Sequence, residues 1–204
     1  MYIPKLYREE DRGEILEFLR QNDFAVLVTY DGEKPVASHL LMEIVEEGEK
    51  IFVNGHMSKA NPHWKTLEKN PEVLAIFHGA HTYISPTWYN HVNVPTWNYQ
   101  AIHVYGKPQI IEDREEVFLL LKKLVDRHEA GSHYKLETLS QDFVEKEMKG
   151  IVAFQIEATR IEANYKLSQN RSDEDHQNII AQLEKREDEM SRGVAEAMKR
   201  QRSG

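Results

Sequence analysis

The sequence predicts a mainly β fold with added helices, an antiparallel sheet of about six strands closed into a small barrel. Three observations carry this. FAVLVT (24–29) and KPVASHLLMEIV (34–45) flank Asp31-Gly32, and Asp-Gly between apolar runs signals a hairpin whose two central residues take positive φ. A second turn, EEGEK (46–50), leads into IFVNGH (51–56), so the strands form an antiparallel meander. The connections are too short for parallel crossovers, and closing such a sheet leaves no open edge.

The remaining elements follow in chain order. Asp11 with Glu14 three residues on reads as a capping box, before an apolar stripe of Ile15, Phe18 and Leu19. The 34–45 strand is apolar on both faces, with Val36, Leu40, Met42 and Ile44 on one and Ala37, Leu41 and Val45 on the other. VLAIFHG (73–79) has the same character. A second layer or a second subunit must cover the outer face, and a homodimer is expected. Asn61 and Pro62 open a short helix with Trp64 and Leu67 on one side, and Asn70-Pro71 ends it. A long strand spans 99–111, and Asp113 starts a helix carrying Val117, Leu120, Leu121 and Leu124. Ser140 starts a shorter helix that reaches Gly150, the last strand runs over 151–167, and one terminal helix begins at Asp173. The expected organisation is a barrel domain over 1–170 and a helical extension over 171–204.

Composition excludes several classes. The chain has 204 residues and no cysteine, which removes disulfides and thiolate metal sites and suits a cytoplasmic protein. No signal pattern opens it, and no apolar run reaches the roughly 18 residues of a membrane helix, so no membrane partner is expected. A net charge of −8 opposes broad capture of nucleic acid. The exception is the C-terminus, where Arg192, Lys199, Arg200 and Arg202 face only Glu196; it reads as a solvated helix end or as a basic tail able to touch phosphates. Seven of the ten histidines lie between His39 and His103, yet their spacing and the lack of a carboxylate cluster give no metal site. Hydrolase elbows, Walker loops and a helix-turn-helix are absent from the pattern.

The most informative segment is NGHMSKANPHW (54–64). It reads as a strand ending at Asn54-Gly55, a tight turn with Ser58 and Lys59, and a helix opening at Asn61. Glycine, free amides at a helix start, a hydroxyl and a lysine together suit a phosphate, although any strand-turn-helix junction needs glycine and a cap. His39 and His56 sit near strand ends close to this pocket, able to bond a ligand or a backbone carbonyl. Trp88, Tyr89, Trp97 and Tyr99 could stack on a ring system or build a subunit interface.

In this order of motifs the chain resembles the FMN-binding split barrels of the pyridoxamine 5′-phosphate oxidase superfamily. The resemblance makes Ser58 and Lys59 the holders of the flavin phosphate and Gln100, opening QAIHVYG, a contact of the isoalloxazine ring. With SPTWYNHVNVPTWNYQAIHVYG (85–106), MKGIVAFQIE (148–157) and YKLSQNR (165–171), the chain is similar over nearly its whole length to the PaiB-type FMN-binding negative transcriptional regulators. This implies FMN as cofactor, a dimer with flavin at its interface, and repression of sporulation and protease genes, with promoter DNA as a partner. It also brings Lys166, Gln169, Asn170 and Arg171 to the pocket wall. The chain departs from the oxidases at His103, where they carry arginine, and in KLSQNR, which replaces their tryptophan–arginine substrate motif. Pyridoxamine phosphate oxidation is therefore not carried over. The alternatives are a flavin-dependent oxidoreductase acting on another small substrate, and a haem-binding split barrel.

Overall fold

A computed structural model describes residues 1–203. Seven strands are assigned among them: β1 (Arg8–Glu9), β2 (Phe24–Tyr30), β3 (Pro35–Glu47), β4 (Lys50–Ser58), β5 (Val73–Ile84), β6 (Thr96–Ile111) and β7 (Ile151–Lys166). The helices are α1 (Arg12–Gln21), α2 (Trp64–Leu67), α3 (Arg114–His128), α4 (Gln141–Met148), α5 (Asp173–Glu184) and α6 (Glu189–Ser203). The strand order is β1-β7-β4-β3-β2-β5-β6, and a further β7–β6 pairing joins the two sides into an uneven ring. The pairings β1–β7, β2–β3, β2–β5, β3–β4 and β4–β7 are all antiparallel.

Local signals set the helix starts. Asp113 accepts the amides of Glu115 and Glu116 at 2.9 and 3.0 Å, and Ser140 that of Phe143 at 3.4 Å. Asp11 accepts the Glu14 amide at 2.9 Å, and the face that α1 buries is Leu16, Phe18 and Leu19, with Ile15 only half-buried. The β2–β3 turn differs from expectation. Gly32 alone takes positive φ, at +106°, while Asp31 instead accepts the Glu33 and Lys34 amides, both at 2.9 Å. This side-chain turn holds a four-residue connection between the paired ends Tyr30 and Pro35.

The chain divides into two compact units. One comprises Leu19–Phe77 and Val104–Ile161; the other comprises Met1–Phe18, His78–His103 and the chain from Glu162 on. In the first unit the inner face of the sheet carries Leu27, Met42, Ile44, Val53, Phe154 and Ile156, all buried. Gly55 faces this core rather than a ligand. A Cβ there would stand 2.7 Å from Cζ of Phe154, so the glycine makes room for that ring. On the outer face, α3 lays Val117, Leu120 and Leu124 over Ala153, with Leu41 and Ile151 packed against them. Part of the two-sided apolarity of β3 is thus covered by the chain's own helix. The outer side chains of β2 and β5 have no such cover: Phe24 is 67% exposed, and Val26, Val28, Leu74 and Ile76 are half-buried.

In the second unit the terminal segment forms two helices, not one. Asp188 accepts the Ser191 amide at 2.7 Å and starts α6 afresh. Ile179, Ile180 and Leu183 of α5 and Val194, Ala195, Ala197 and Met198 of α6 are all buried. A Cβ on Gly193 would lie 2.7 Å from Cβ of Ala80, so α6 packs closely on β5. Its charges are also engaged. Lys199 pairs with Glu184, Arg202 with Asp173 and the Arg171 carbonyl, and Arg192 donates to the Arg186 carbonyl at 3.3 Å. The C-terminus, read from the sequence as a solvated helix end or a basic tail, is a docked helix whose Lys199 and Arg202 are ion-paired.

Candidate functional site

The strand β4 continues through Ser58, past the point where the sequence suggested a turn, because its ladder with β7 extends to the Ser58–Ile151 pair. Alternation then places Asn54, His56 and Ser58 on the outer face, opposite Gln155, Ala153 and Ile151 of β7. Across β3, Asn54 is paired with Glu43. Three side-chain atoms of this group, Glu43 Oε2, Asn54 Oδ1 and His56 Nδ1, are buried without a hydrogen-bond partner. Burial pushes the His56 imidazole below its ordinary value and the Glu43 carboxyl above its own, so both favour the neutral form. Buried polar atoms without partners are rare in folded proteins, and each calls for a water, an ion or another group to complete it.

The turn beyond β4 corrects the sequence reading of a helix-start cradle. The amides there are spent internally. Lys59 N–H donates to the Gly150 carbonyl at 2.8 Å, Ala60 N–H to Ser58 Oγ at 3.3 Å and Asn61 N–H to the Ser58 carbonyl at 2.9 Å. The helix α2 is a single turn beginning at Trp64. Asn61 does not cap it: its Oδ1 accepts the His63 amide at 3.1 Å and its Nδ2 donates to Ser38 Oγ at 3.1 Å. The buried His63 ring joins the same network, 2.8 Å from Thr29 Oγ1 and 2.7 Å from Ser38 Oγ.

What remains for an anion is side chains. Lys59 opens on a cavity of about 400 Å³, with its carbonyl held by Trp64 Nε1 at 3.1 Å. Arg114 at the start of α3 and Lys149 after α4 line the same cavity, as do Ile151 and Ala153, the register partners of Ser58 and His56. Glu112 and Glu145 are there too, and Glu145 pairs with Arg114 at 3.2 Å. Sequence reasoning missed Glu43, Arg114 and Lys149, because each enters through strand register or helix docking rather than through a local motif.

The other expected residues are placed as follows. His39 is exposed and stacks on Phe24 with 6.1 Å between ring centroids. Gln100, Lys166, Gln169, Asn170 and Arg171 belong to the second unit. Lys166 Nζ donates to Thr96 Oγ1 at 2.6 Å, and burial lowers its pKa. Gln169 folds back on its own turn, accepting the Leu167 amide at 2.8 Å and donating to the Tyr165 carbonyl. Asn170 is exposed, and Arg171 lies 4.9 Å above the Tyr89 ring. Ser168 takes φ of +62° without being glycine, and the buried Asn98 holds it by Nδ2–H to Ser168 Oγ at 2.9 Å. Of the aromatic loop, Trp88 lies under Arg186 and the Tyr99 hydroxyl accepts from Asn164, while Trp97 is 47% exposed. Among the described residues no group of three or more His, Asp or Glu is placed to hold a metal ion, and no helix is long and apolar enough to cross a membrane.

Residues 1–160 match the model of the family described as "Putative FMN-binding domain", and the chain belongs to that family. The antiparallel ring with added helices is accordingly a split barrel, and the cofactor is FMN. A relative from Bacillus subtilis (strain 168), "Protease synthase and sporulation protein PAI 2", is 40% identical over 201 residues, 97% of this chain and 96% of its own. Among solved structures, the flavocytochrome Anf3 of Azotobacter vinelandii shares the fold at 15% identity and a TM-score of 0.62, over 86% of this chain and 78% of that one. A FAD and heme binding protein of Mycobacterium smegmatis shares it at 14% identity and the same TM-score of 0.62, over 83% and 78%. The outer-face residues fit a phosphorylated flavin. Unpartnered buried donors and acceptors suit the polar edge of a flat ring, and the three cations of the cavity outnumber its carboxylates Glu112 and Glu145, a balance that favours an anion.

Proposed function

We propose that this chain is a cytoplasmic, homodimeric flavoprotein that holds FMN and lowers expression of genes for sporulation and degradative enzymes. The observation that carries the flavin part is the set of Asn54, His56 and Ser58 on one strand face beside the cavity of Lys59. In this reading Ser58, Lys59, Arg114 and Lys149 hold the phosphate, and Asn54 and His56 meet the polar part of the flavin. Bound FMN would supply one- or two-electron chemistry, while the protein supplies position and electrostatics. The regulatory part is supported by identity along nearly the full length of the B. subtilis protein named for protease synthesis and sporulation.

The dimer is supported by the uncovered outer face of β2 and β5, where Phe24, Val26 and Val28 run beside Ile76 and Leu74, with Val26 opposite Ile76 and Val28 opposite Leu74. A contiguous apolar strip of this kind is what a second copy buries. We do not assign direct capture of promoter DNA to α6, since Lys199 and Arg202 are ion-paired within the chain and the net charge is −8. Control then runs through the flavin or through a partner protein.

Purified protein should show a flavin absorption spectrum without a Soret band, and light scattering should give twice the 23.9 kDa chain mass. In mobility shifts at physiological salt, a promoter fragment and its scrambled version should behave alike. A Soret band would move the haem reading ahead. A monomer at micromolar concentration would remove the dimer, and a promoter-specific shift would restore direct repression.

A further inference from the structure

Within the second unit, β1, α1, β6, β7 and α6 converge on a cavity of about 170 Å³. Glu9, Glu14, Gln100, Tyr165, Arg200 and Gln201 contribute its polar lining. Tyr165 is the informative member. The residue is only 5% exposed, and its hydroxyl is buried without a hydrogen-bond partner. Burial, reinforced by the carboxylates of Glu9 and Glu14 and opposed by Arg200, pushes the phenol well above its ordinary value, so it is a proton donor at any physiological pH.

The charges around it are of both signs. Glu9 is a fixed acceptor, because its Oε1 accepts the Glu10 and Asp11 amides at 2.9 and 2.8 Å and its orientation is set by them. Arg200 is loosely held, with Nη1 4.0 Å from Glu17, beyond hydrogen-bond length. The cavity therefore offers two carboxylates and two donors, a phenol and a guanidinium, that have hydrogen bonds to give. A simple cation would leave the donors unmatched, and a simple anion would face two carboxylates. At roughly 30 Å³ per water, the space equals about five or six waters, too little for a flavin ring or a nucleotide.

We propose that this cavity binds a small zwitterion of the amino-acid class, its ammonium toward Glu9 and Glu14 and its carboxylate toward the Tyr165 hydroxyl and Arg200. Apart from Gln100, which the family resemblance brings to the isoalloxazine ring, its lining shares no residue with the proposed FMN site of Asn54, His56, Ser58, Lys59, Arg114 and Lys149, and it does not depend on that proposal.

Calorimetric titration of the full-length dimer with L-alanine, ethylamine and propionate at matched ionic strength tests it. Alanine should bind saturably and at least about 10-fold more tightly than either single-charge analogue, since each of these loses a charge-assisted contact. Tyr165→Phe should lose about 10-fold in alanine affinity while melting, without alanine, at the same or a higher temperature, because the deleted hydroxyl has no partner in the protein. Arg200→Gln should bring alanine down to the level of ethylamine. Flavin content, read by absorbance, should be unchanged in both variants, which keeps this outcome apart from that of the FMN site. No saturable heat with alanine would overturn the proposal. So would equal binding by ethylamine or propionate, undiminished alanine binding by Tyr165→Phe, or a lower melting temperature of that variant, which would make the hydroxyl structural.

Discussion

Deleting the chain from Arg192 onward should abolish cooperative unfolding of the unit that contains α5 and α6. The deletion removes Val194, Ala195, Ala197 and Met198, each at most 3% exposed, and uncovers the α5 face of Ile179, Ile180 and Leu183. It also strips Thr82 of the helix packed over it: Ser191, whose Oγ lies 2.9 Å from Thr82 Oγ1, would become the last residue of a frayed end. Large-to-small changes at single buried Met or Leu positions cost about 2–5 kcal/mol, against a total of about 5–15 kcal/mol for a domain. Met198→Ala alone should therefore lower the urea midpoint by an amount equivalent to roughly 2–4 kcal/mol. The deletion should yield protein with no sharp transition in urea followed by circular dichroism. A deleted chain that unfolds at the parent's midpoint would show that α6 is an appendage, as a solvated basic tail would be.

Acid should weaken the same helix pair through His176. Its ring is fully buried in α5, and neither Nδ1 nor Nε2 has a hydrogen-bond partner. Burial, with the nearby Arg202 charge and against that of Asp173, lowers its pKa from 6.5 to about 4. The sign follows from which state takes the proton. Below pH 6.5 the unfolded chain binds one at His176, whereas the folded chain refuses it until about pH 4. Stability is complete above that upper value and falls as pH drops through the window. At about 1.4 kcal/mol per pH unit, the full effect is about 3 kcal/mol. Urea midpoints at pH 7.5 and 4.5 should differ far less in His176→Met than in the parent, because His56 and His63, also lowered by burial, remain in both. Identical pH slopes in the two proteins would show that His176 is not the group that titrates.

The parts of the fold that were legible in the sequence are those set within a few residues. Asp11, Asp113 and Ser140 read as helix starts because each carboxylate or hydroxyl reaches amides two or three positions on. The Asp31-Gly32 hairpin was legible for the same reason, though not its Asx geometry. The α5–α6 break was hidden, since Lys185–Asp188 contains neither glycine nor proline and only the Asp188 cap marks it. The site was half legible. Ser58 and Lys59 stand out as a hydroxyl and a lysine after a strand, but the role of Gly55 depends on the ring of Phe154, about a hundred residues away. Asn61 looked like a free cap because Ser38, which takes its amide, comes from another strand. Arg114 and Lys149 reach the Lys59 cavity only through the docking of α3 and α4, which no short window of sequence contains.

The side chains around Lys59 are proposed to hold the phosphate of FMN. Titrating flavin-free full-length protein with FMN and with riboflavin, which lacks the phosphate, tests it most directly. Charge-assisted hydrogen bonds to a phosphate are worth about 1.5–3 kcal/mol each, so FMN should bind at least about 10-fold more tightly. Lys59→Met should weaken FMN by a similar factor and leave riboflavin within about threefold of the parent, because riboflavin has no charge for Lys59 to meet. Equal affinity of the parent for the two flavins, or an undiminished preference for FMN in Lys59→Met, would contradict the account.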